Sequence, residues 1–359
     1  MANTVMYGFE TLNDIFDKRV TEVGVEVVND AIQRTIDEHN RQLSTLTSLF
    51  ATPTSEFKTV YKTGAAARLQ PLDNSGRALP IKGGGQYAVS YPLHTAGTAW
   101  GTNYISSVKM TVEEANNITA TLIGADINWM RDHILAALFY DGAAGGGWTF
   151  NDPEHDSLSI MGLADGDTTT YQIKTGAGSA ATDDHYLAQA AAIGDAANPY
   201  PTIYTELTEH PENSGDVIAL IPTASKDTTM ALANFRPLGD PNVQLGANTA
   251  QLVGNLNVAT PGTLIGYVDK VWIYEWPVLP TGYIISTCTG GNRALRMRQE
   301  PEAQLQGFKK VAERNDHPFM ESQYLRIAGF GAWNRVGAVV YRIGNASYAI
   351  PTGYDSPMA

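Results

Sequence analysis

The sequence predicts an α+β protein made of more than one packed region. Three observations favour this fold class: an amphipathic N-terminal stretch, one long helical stripe, and strand-like apolar runs in the second half. The chain has 359 residues, which is above the size at which a single hydrophobic core usually stops growing. We therefore expect two or more regions that pack together.

Residues 1–56 predict one or two amphipathic helices that lack a core of their own. Apolar residues recur at roughly helical spacing between Leu12 and Phe50, with charged residues between them, and Thr52-Pro53-Thr54 ends the pattern. Because such helices gain most of their stability from packing, we expect this stretch to lie against another part of the protein.

Residues 57–104 predict a long two-stranded excursion. Asp73-Asn74-Ser75-Gly76 is a turn between short strand-like runs, and Gly83-Gly84-Gly85 leads into a further run from Gln86 to Leu93. The glycine run lacks the Lys-Ser/Thr pair of a phosphate-binding loop, so it indicates a turn or hinge. An isolated hairpin is marginal in water, so this one must lie on another subunit or across its own domain.

The clearest predicted element is a helix that begins after Thr111. Thr111-Val112-Glu113-Glu114 is a capping box, in which Thr111 accepts from the amide of Glu114 and the Glu114 carboxylate reaches back. An apolar stripe of helical period continues to Leu138, and Asp141-Gly142 ends it. Such a helix would span on the order of 40 Å, which is typical of a structural beam.

The remainder predicts an insertion with little core, a mixed region and closing strands. Residues 143–184 are rich in Gly, Asp, Thr and Ser. The elements predicted after them are a helix near His185 to Ala197, a strand at Val217 to Ile221, a helix from about Ala224 to Phe235, and strands at 263–276, 282–287 and 324–348.

Composition argues against several classes of function. The net charge of −13 opposes a sequence-independent grip on nucleic acid, and charged residues make up only 17% of the chain, which favours an oligomer. Cys288 is the single cysteine and lies in an apolar run, so no intrachain disulfide or thiolate zinc cluster forms. We expect no secretory signal and no membrane-spanning helix.

The sequence contains no recognisable catalytic constellation. His-Glu-x-x-His and Gly-x-Ser-x-Gly motifs are absent. Asp165-Gly166-Asp167 lacks the rest of a calcium loop and indicates a turn, and Glu154-His155-Asp156 indicates a solvated loop. We therefore predict no enzymatic activity, no cofactor and no metal.

One cluster of positive charge lies between Arg293 and Arg314. Interleaved glutamates favour ion pairs with a neighbouring subunit over contact with nucleic acid. The residues that we predict at subunit interfaces, from this cluster and from the excursion, are Arg68, Asp73, Arg77, Lys82, Arg293, Arg296, Arg298, Lys309 and Lys310.

The order of these elements resembles the HK97-like fold of the major capsid proteins of tailed bacteriophages. The resemblance covers nearly the whole chain. Its best parts are the capped helix from Thr111 to Asp141, Ile160-Met161-Gly162-Leu163-Ala164, and the closing stretches Tyr324 to Gly331 and Arg335 to Val340. It implies an N-terminal arm at 1–56, an extended E-loop at 57–104, a P-domain at 105–183 with its spine helix at 111–141, an axial A-domain at 184–288, and the second part of the P-domain at 289–359.

That resemblance implies a protein that assembles with copies of itself into hexamers and pentamers of an icosahedral shell around double-stranded DNA. The virion would be its final location, after assembly in the host bacterial cytoplasm. The short arm leaves no room for a large N-terminal scaffolding region, so a separate scaffolding protein is expected, together with a portal and in some cases a decoration protein. Some members cross-link an E-loop lysine to an asparagine on a neighbour; Lys82 lies in that region, but no local motif carries this chemistry over.

Two alternatives stay open at this point. One is the shell protein of a bacterial encapsulin compartment, which has the same fold and binds a cargo peptide near its N-terminal helix. The other is an enzyme with an unrecognised site, which would require a pocket with perturbed titratable groups.

Overall fold

The structure is a computed structural model that describes residues 5–62, 72, 74–77, 86–142, 148–174, 180–237, 262–316 and 319–354. The described α-helices are α1 (Val20–Val23), α2 (Val25–Thr47), α3 (Tyr104–Lys109), α4 (Val112–Phe139), α5 (Tyr200–Thr208) and α6 (Lys226–Met230), besides 3-10 turns at Tyr7–Ile15 and Thr223–Ser225. The strands are β1 (Ala51–Thr54), β2 (Lys58–Lys62), β3 (Gln86–Ser90), β4 (His94–Asn103), β5 (Trp148–Asp152), β6 (Asp156–Ile160), β7 (Tyr171–Gln172), β8 (Ala180–Ala181), β9 (Tyr186–Gln189), β10 (Asn213–Ile221), β11 (Arg236–Pro237), β12 (Thr263–Val268), β13 (Val271–Glu275), β14 (Tyr283–Gly291), β15 (Leu295–Arg298), β16 (Lys309–Asp316), β17 (Phe319–Ala332) and β18 (Ala338–Ile343). This mixture of helices and strands agrees with the predicted α+β class.

The N-terminal segment packs on the body of the protein, as its amphipathic pattern predicts. Gly24 has a φ of +107°, a conformation that favours glycine, and this separates α1 from α2. Phe9 and Val28 share a small apolar core with Ala115, which lies on α4. The helices of the segment therefore depend on the long helix for their buried surface.

The long helix begins where its capping box predicts. The Thr111 hydroxyl accepts from the amide of Glu114 at 3.2 Å, and the Glu114 carboxylate accepts from the amide of Thr111 at 3.1 Å. The helix, α4, has 28 residues, which corresponds to roughly 42 Å. Leu135, Leu138 and Phe139 near its end are fully buried, so the helix joins the N-terminal segment to the main core.

A seven-stranded mixed sheet, in the order β11-β12-β13-β10-β14-β18-β9, forms the centre of the second half. Its central strands carry continuous apolar runs because both faces are covered. On β10, Ile218 and Leu220 face the core that contains the end of α4, whereas Val217, Ala219 and Ile221 face the core that contains α5. The predicted strand from Val217 to Ile221 is confirmed.

A second sheet is organised by β17, which is 14 residues long. This strand pairs with β4, β16 and β15, all antiparallel, and β1 joins β15 in parallel. The strand β4, which the sequence places inside the predicted excursion, therefore belongs to this sheet. Among the described residues of the excursion, β2 also pairs with β3 in an antiparallel ladder, from Lys58 opposite Ser90 to Lys62 opposite Gln86.

The short ladders β5–β6 and β7–β8 lie between α4 and β9, in agreement with the irregular insertion that the composition predicts. The strand β18 comes from the closing stretch of the chain, yet it pairs with both β14 and β9. The seven-stranded sheet is therefore assembled from residues far apart in the sequence.

One predicted helix is wrong and another is shorter than predicted. Instead of a helix near His185 to Ala197, the chain forms β9 followed by turns, because β9 pairs with β18 and the His185 amide donates to the carbonyl of Ala164 at 2.8 Å. Tertiary pairing here overrides the helical propensity of an alanine-rich segment. The helix predicted from Ala224 to Phe235 is reduced to a 3-10 turn and the five residues of α6.

Candidate interaction surfaces and buried charge clusters

The residues predicted at subunit interfaces divide into those on the second sheet and those on the excursion. Arg77 is exposed and follows Gly76, whose φ of +72° fits the predicted turn. Arg68, Asp73 and Lys82 lie outside the described residues. Their placement at an interface stays a prediction.

The positive charges near the second sheet already have partners in their own chain. Arg293 donates to the carbonyls of Cys288 and Thr289 at 3.1 and 2.9 Å. Lys309 donates to the Ala303 carbonyl at 2.7 Å, and Lys310 lies 2.7 Å from a carboxylate oxygen of Glu313. These contacts leave part of each side chain exposed, so a role between subunits stays a prediction.

Arg296 has a different environment from its neighbours in sequence. Its guanidinium lies 4.1 Å from the ring centroid of Trp333 and 3.9 Å from a carboxylate oxygen of Glu56. Stacking on an aromatic face holds the guanidinium in position while its edges remain able to donate. Its side chain is 22% exposed, so Arg296 can still contact another molecule.

Arg298 is the most buried of these residues in its own subunit. Its side chain is only 6% exposed and pairs with Asp152 of the same chain at 2.5 Å, and it also donates to the Tyr91 carbonyl at 3.0 Å. Burial alone would raise the pKa of Asp152, but hydrogen bonds from the Glu154 amide, Arg298 and His155 lower it to about 2. Arg298 therefore ties β15 to β5 within the subunit, and its place at a subunit interface stays a prediction.

A second buried ion pair joins the three longest elements. Asp126 on α4 accepts hydrogen bonds from Arg326 on β17, one of them at 2.6 Å, and lies 2.7 Å from the ring of His39 on α2. The Asp126 and Arg326 side chains are 2% and 5% exposed. Burial alone would raise the pKa of Asp126, but the hydrogen bonds from His39 and Arg326 lower it. The carboxylate thus holds α2, α4 and β17 in register.

A third cluster surrounds Arg335, which is 1% exposed. Its guanidinium donates to the carbonyls of Gly162 and Leu163 at 2.9 and 2.8 Å, and it pairs with Asp167 at 2.5 Å. The predicted turn at 165–167 is present, since Gly166 has a φ of +74°. The turn is evident from the sequence, but the ion pair of its Asp167 carboxylate with an arginine 168 positions further on is not.

An apolar depression on the described surface, here called the arm groove, lies between α2, β4 and α3. It has a volume of about 370 Å³ and is lined by Val25, Val28, Trp100, Tyr104, Val108 and Met110, with Glu313 and Glu321 among its polar residues. Val25 and Tyr104 are 53% and 54% exposed. Exposed apolar side chains grouped in a groove make it a candidate surface for contact with another molecule.

Side chains that could hold a metal ion converge, within the described ranges, around Asp183. His185, just before β9, and His210, after α5, lie against this carboxylate, and Glu206 and Glu209 at the same end of α5 each have an oxygen within 4.8 Å of it. These residues fall in two separate stretches of the sequence, 183–185 and 206–210, so no single local motif contains them all.

The described helices include none that is long and apolar enough to cross a membrane.

Comparison with known proteins identifies the fold. No family model matches the chain, and no curated protein matches it in sequence. A solved structure from Mycobacterium phage Patience matches 97% of this chain and 97% of its own, with a TM-score of 0.66 and 17% identity. The capsid of cyanophage P-SCSP1u matches 82% of this chain and 86% of its own, with a TM-score of 0.48 and 7% identity. The capsid of a native GTA particle matches 84% of this chain and 90% of its own, with a TM-score of 0.45 and 10% identity.

These structural neighbours are chains of phages and related particles. At 17% identity, the match to the Mycobacterium phage chain shows a shared fold over nearly the full length of both chains. The fold is therefore one that a phage protein uses.

Proposed function

We propose that this chain is the major capsid protein of a tailed bacteriophage, with an HK97-like fold. The observation that carries this proposal is the match to the Mycobacterium phage Patience chain, which leaves almost no part of either chain unmatched. The order of elements in the sequence supports the same proposal, because it resembles that of tailed-phage capsid proteins over nearly the whole chain. The role that follows is structural and not enzymatic.

The proposed domains follow the elements of the structure. The N-terminal arm comprises residues 1–56, and α4 is the spine of a P-domain whose parts are 105–183 and 289–359. The axial A-domain at 184–288 supplies most strands of the seven-stranded sheet, to which the closing stretch adds β18. The proposed E-loop, residues 57–104, has β2 and β3 at its base, and β4 lies at its end in the second sheet.

In this proposal the main partner is the chain itself. Copies form hexamers and pentamers, in which each subunit presents one surface to one neighbour and a different surface to the other. A portal, a separate scaffolding protein and a decoration protein are the further proposed partners. The net charge of −13 lets the shell enclose double-stranded DNA without binding its phosphates tightly. Assembly takes place in the host bacterial cytoplasm and ends in the virion.

We assign the arm groove to a contact between copies. Its apolar lining and the exposed side chains of Val25 and Tyr104 would be unfavourable on an isolated subunit in water. In an obligate assembly a neighbour covers such surface, because interfaces of this class are large and apolar. The acidic residues Glu313 and Glu321 then select a neighbour with a basic or neutral rim.

Electron microscopy of the purified recombinant chain, combined with its mass by light scattering, tests the function. We expect closed shells, tubes, or rings of five and six subunits, either from the chain alone or after addition of the scaffolding protein. A chain that stays monomeric at all concentrations under both conditions would contradict the proposal. Shells that package a peroxidase or ferritin-like protein instead of DNA would favour an encapsulin.

A matched pair of valines on α2 tests the role of the arm groove. Val25 lines the groove and is 53% exposed, whereas Val27, two residues further on, is 48% exposed and is not among the lining residues. We expect Val25→Asp to reduce the yield of assembled particles and Val27→Asp to leave it close to that of the unmodified chain. Circular dichroism would first establish that both variants fold. Equal yields of assembled particles from the two folded variants would show that the groove is not a contact between copies.

A further inference from the structure

Five titratable side chains converge where α5 ends and β9 begins, away from the surfaces described above. His185 and His210 are 0% and 1% exposed, and both point their Nε2 atoms at the same carboxylate oxygen of Asp183, at 3.0 and 2.5 Å. The two Nε2 atoms are 3.4 Å apart. Glu209 lies 3.7 Å from the Nε2 atom of His210, and Glu206 completes the group.

The main chain fixes which ring nitrogens face this point. Nδ1 of His185 lies 2.7 Å from the carbonyl oxygen of Ala338, and Nδ1 of His210 lies 3.0 Å from that of Gln172. A carbonyl oxygen can only accept a hydrogen bond, so Nδ1 carries the hydrogen in both rings. When the rings are neutral, both Nε2 atoms carry lone pairs, and these face each other and the Asp183 carboxylate.

Such an arrangement needs positive charge at its centre. Protonating one imidazole leaves the lone pair of the other directed at the carboxylate, and protonating both places two imidazolium rings side by side. Among the described residues, no lysine or arginine forms an ion pair with Asp183, Glu206 or Glu209, and the ammonium of Lys174 donates instead to main-chain carbonyls of Thr208 and Asn213.

The surrounding carboxylates point the same way. One ligand oxygen from each of Asp183, Glu206 and Glu209 lies within 4.8 Å of the other two. A bound cation would relieve the repulsion between these carboxylates.

We propose that Asp183, His185 and His210, with Glu209 as the fourth ligand, bind a structural zinc ion. Two imidazoles favour a first-row transition ion over Mg²⁺ or Ca²⁺, which prefer oxygen ligands. Bonds of about 2.0–2.1 Å in a tetrahedron separate the ligand atoms by about 3.3–3.4 Å. The two Nε2 atoms, 3.4 Å apart, already have this separation. To reach it, the Asp183 oxygen must move away from the Nε2 atom of His210 by several tenths of an ångström, and the Glu209 oxygen must move closer to that atom.

The proposed zinc ion would fasten segments that lie far apart in the sequence. Its ligands come from the start of β9 and from the end of α5. Through their Nδ1 atoms, the two histidines also hold Ala338 at the start of β18 and Gln172 on β7. Hydrogen bonds of this kind from the second ring nitrogen orient metal-binding histidines and raise their basicity. The ion would therefore lock the insertion against the edge of the seven-stranded sheet.

Metal analysis of the full-length chain tests the proposal directly. After removal of metal with a chelator, addition of Zn²⁺ and gel filtration, we expect about one zinc ion per chain and a rise in melting temperature that Mg²⁺ does not reproduce. With Co²⁺ in place of Zn²⁺, a visible absorption band of tetrahedral cobalt should appear. Acidification should release the metal, because protons compete for the Nε2 lone pairs.

Variants distinguish this site from adventitious binding. His210→Gln should lose the bound zinc and the zinc-dependent rise in melting temperature. The control variant is His155→Gln, which removes a 30% exposed histidine that pairs with Asp152. This variant should keep the bound zinc and the zinc-dependent rise in melting temperature. If the unmodified chain retains no zinc and shows no cobalt band, the proposal is overturned, whether or not the variants fold. The cluster would then be a His-Asp-His network that shares a proton. Neither outcome depends on whether the chain assembles into shells.

Discussion

Replacement of Asp126 by alanine should destabilise the subunit more than loss of a surface carboxylate does. Asp126 accepts from Arg326 and His39 in a place where its side chain is 2% exposed and that of Arg326 is 5% exposed. The Asp126→Ala variant leaves the guanidinium buried without its counter-ion. Breaking a buried pair in this way costs about 3–5 kcal/mol of the free energy of unfolding.

A matched control is available on α2. Asp30 pairs with Arg34 at 2.8 Å, but these side chains are 59% and 62% exposed, so Asp30→Ala should cost no more than about 0.5 kcal/mol. Because the penalty comes from the unpaired charge, the double variant Asp126→Ala, Arg326→Met should recover part of the loss.

Denaturant unfolding of the soluble subunit, followed by circular dichroism, measures the three variants against the unmodified chain. A loss in Asp126→Ala no larger than that in Asp30→Ala would refute the reasoning. A double variant less stable than Asp126→Ala would show that Arg326 stabilises the protein by packing and not through its charge.

Three further predictions follow from single residues. An added Cβ at Gly329 would lie 2.1 Å from the Pro92 carbonyl oxygen, so Gly329→Ala should lower the free energy of unfolding by about 1–3 kcal/mol. At Gly124 on α4 an added Cβ would meet nothing within 4 Å, so Gly124→Ala should raise the free energy of unfolding by about 0.5–1 kcal/mol. The urea midpoints of the two variants measure both changes. Cys288 is 4% exposed and burial raises the pKa of its thiol to about 12, so it should react with a thiol reagent only after unfolding, which mass spectrometry with and without denaturant measures. The pKa of Asp152 is lowered from 3.8 to about 2. The contribution of this carboxylate to stability is therefore present above about pH 4 and is lost as the pH falls towards 2. Asp152→Asn should remove part of the acid dependence of the melting temperature over that window.

The sequence predicted those elements whose signals are local. The capping box lies within four residues, and α4 begins directly after it. The apolar run from Val217 to Ile221 is short and β-branched, and it forms a strand at the centre of a sheet covered on both faces. Cys288 lies buried in β14, as its apolar surroundings predicted.

The wrong and missing predictions concern contacts between distant residues. The segment after His185 has alanines that favour a helix, but its pairing with β18 joins residues more than 150 positions apart, and no local pattern records that pairing. The same holds for Arg298 with Asp152, which are 146 positions apart. Charge alternation near Arg298 fitted a subunit interface as well as it fitted a buried pair, since sequence spacing does not give burial.

The candidate zinc site lies between these two cases. Each half has a local signal: Asp183 and His185 are two residues apart, directly before β9, while Glu206, Glu209 and His210 follow a helical spacing of three and four. Each half alone is common in proteins that bind no metal. The fold is what makes them one site, because the antiparallel pairing of β10 with β14, and of β14 with β18, brings the end of α5 beside the start of β9. A search for metal sites in sequences of this fold should therefore require both halves together.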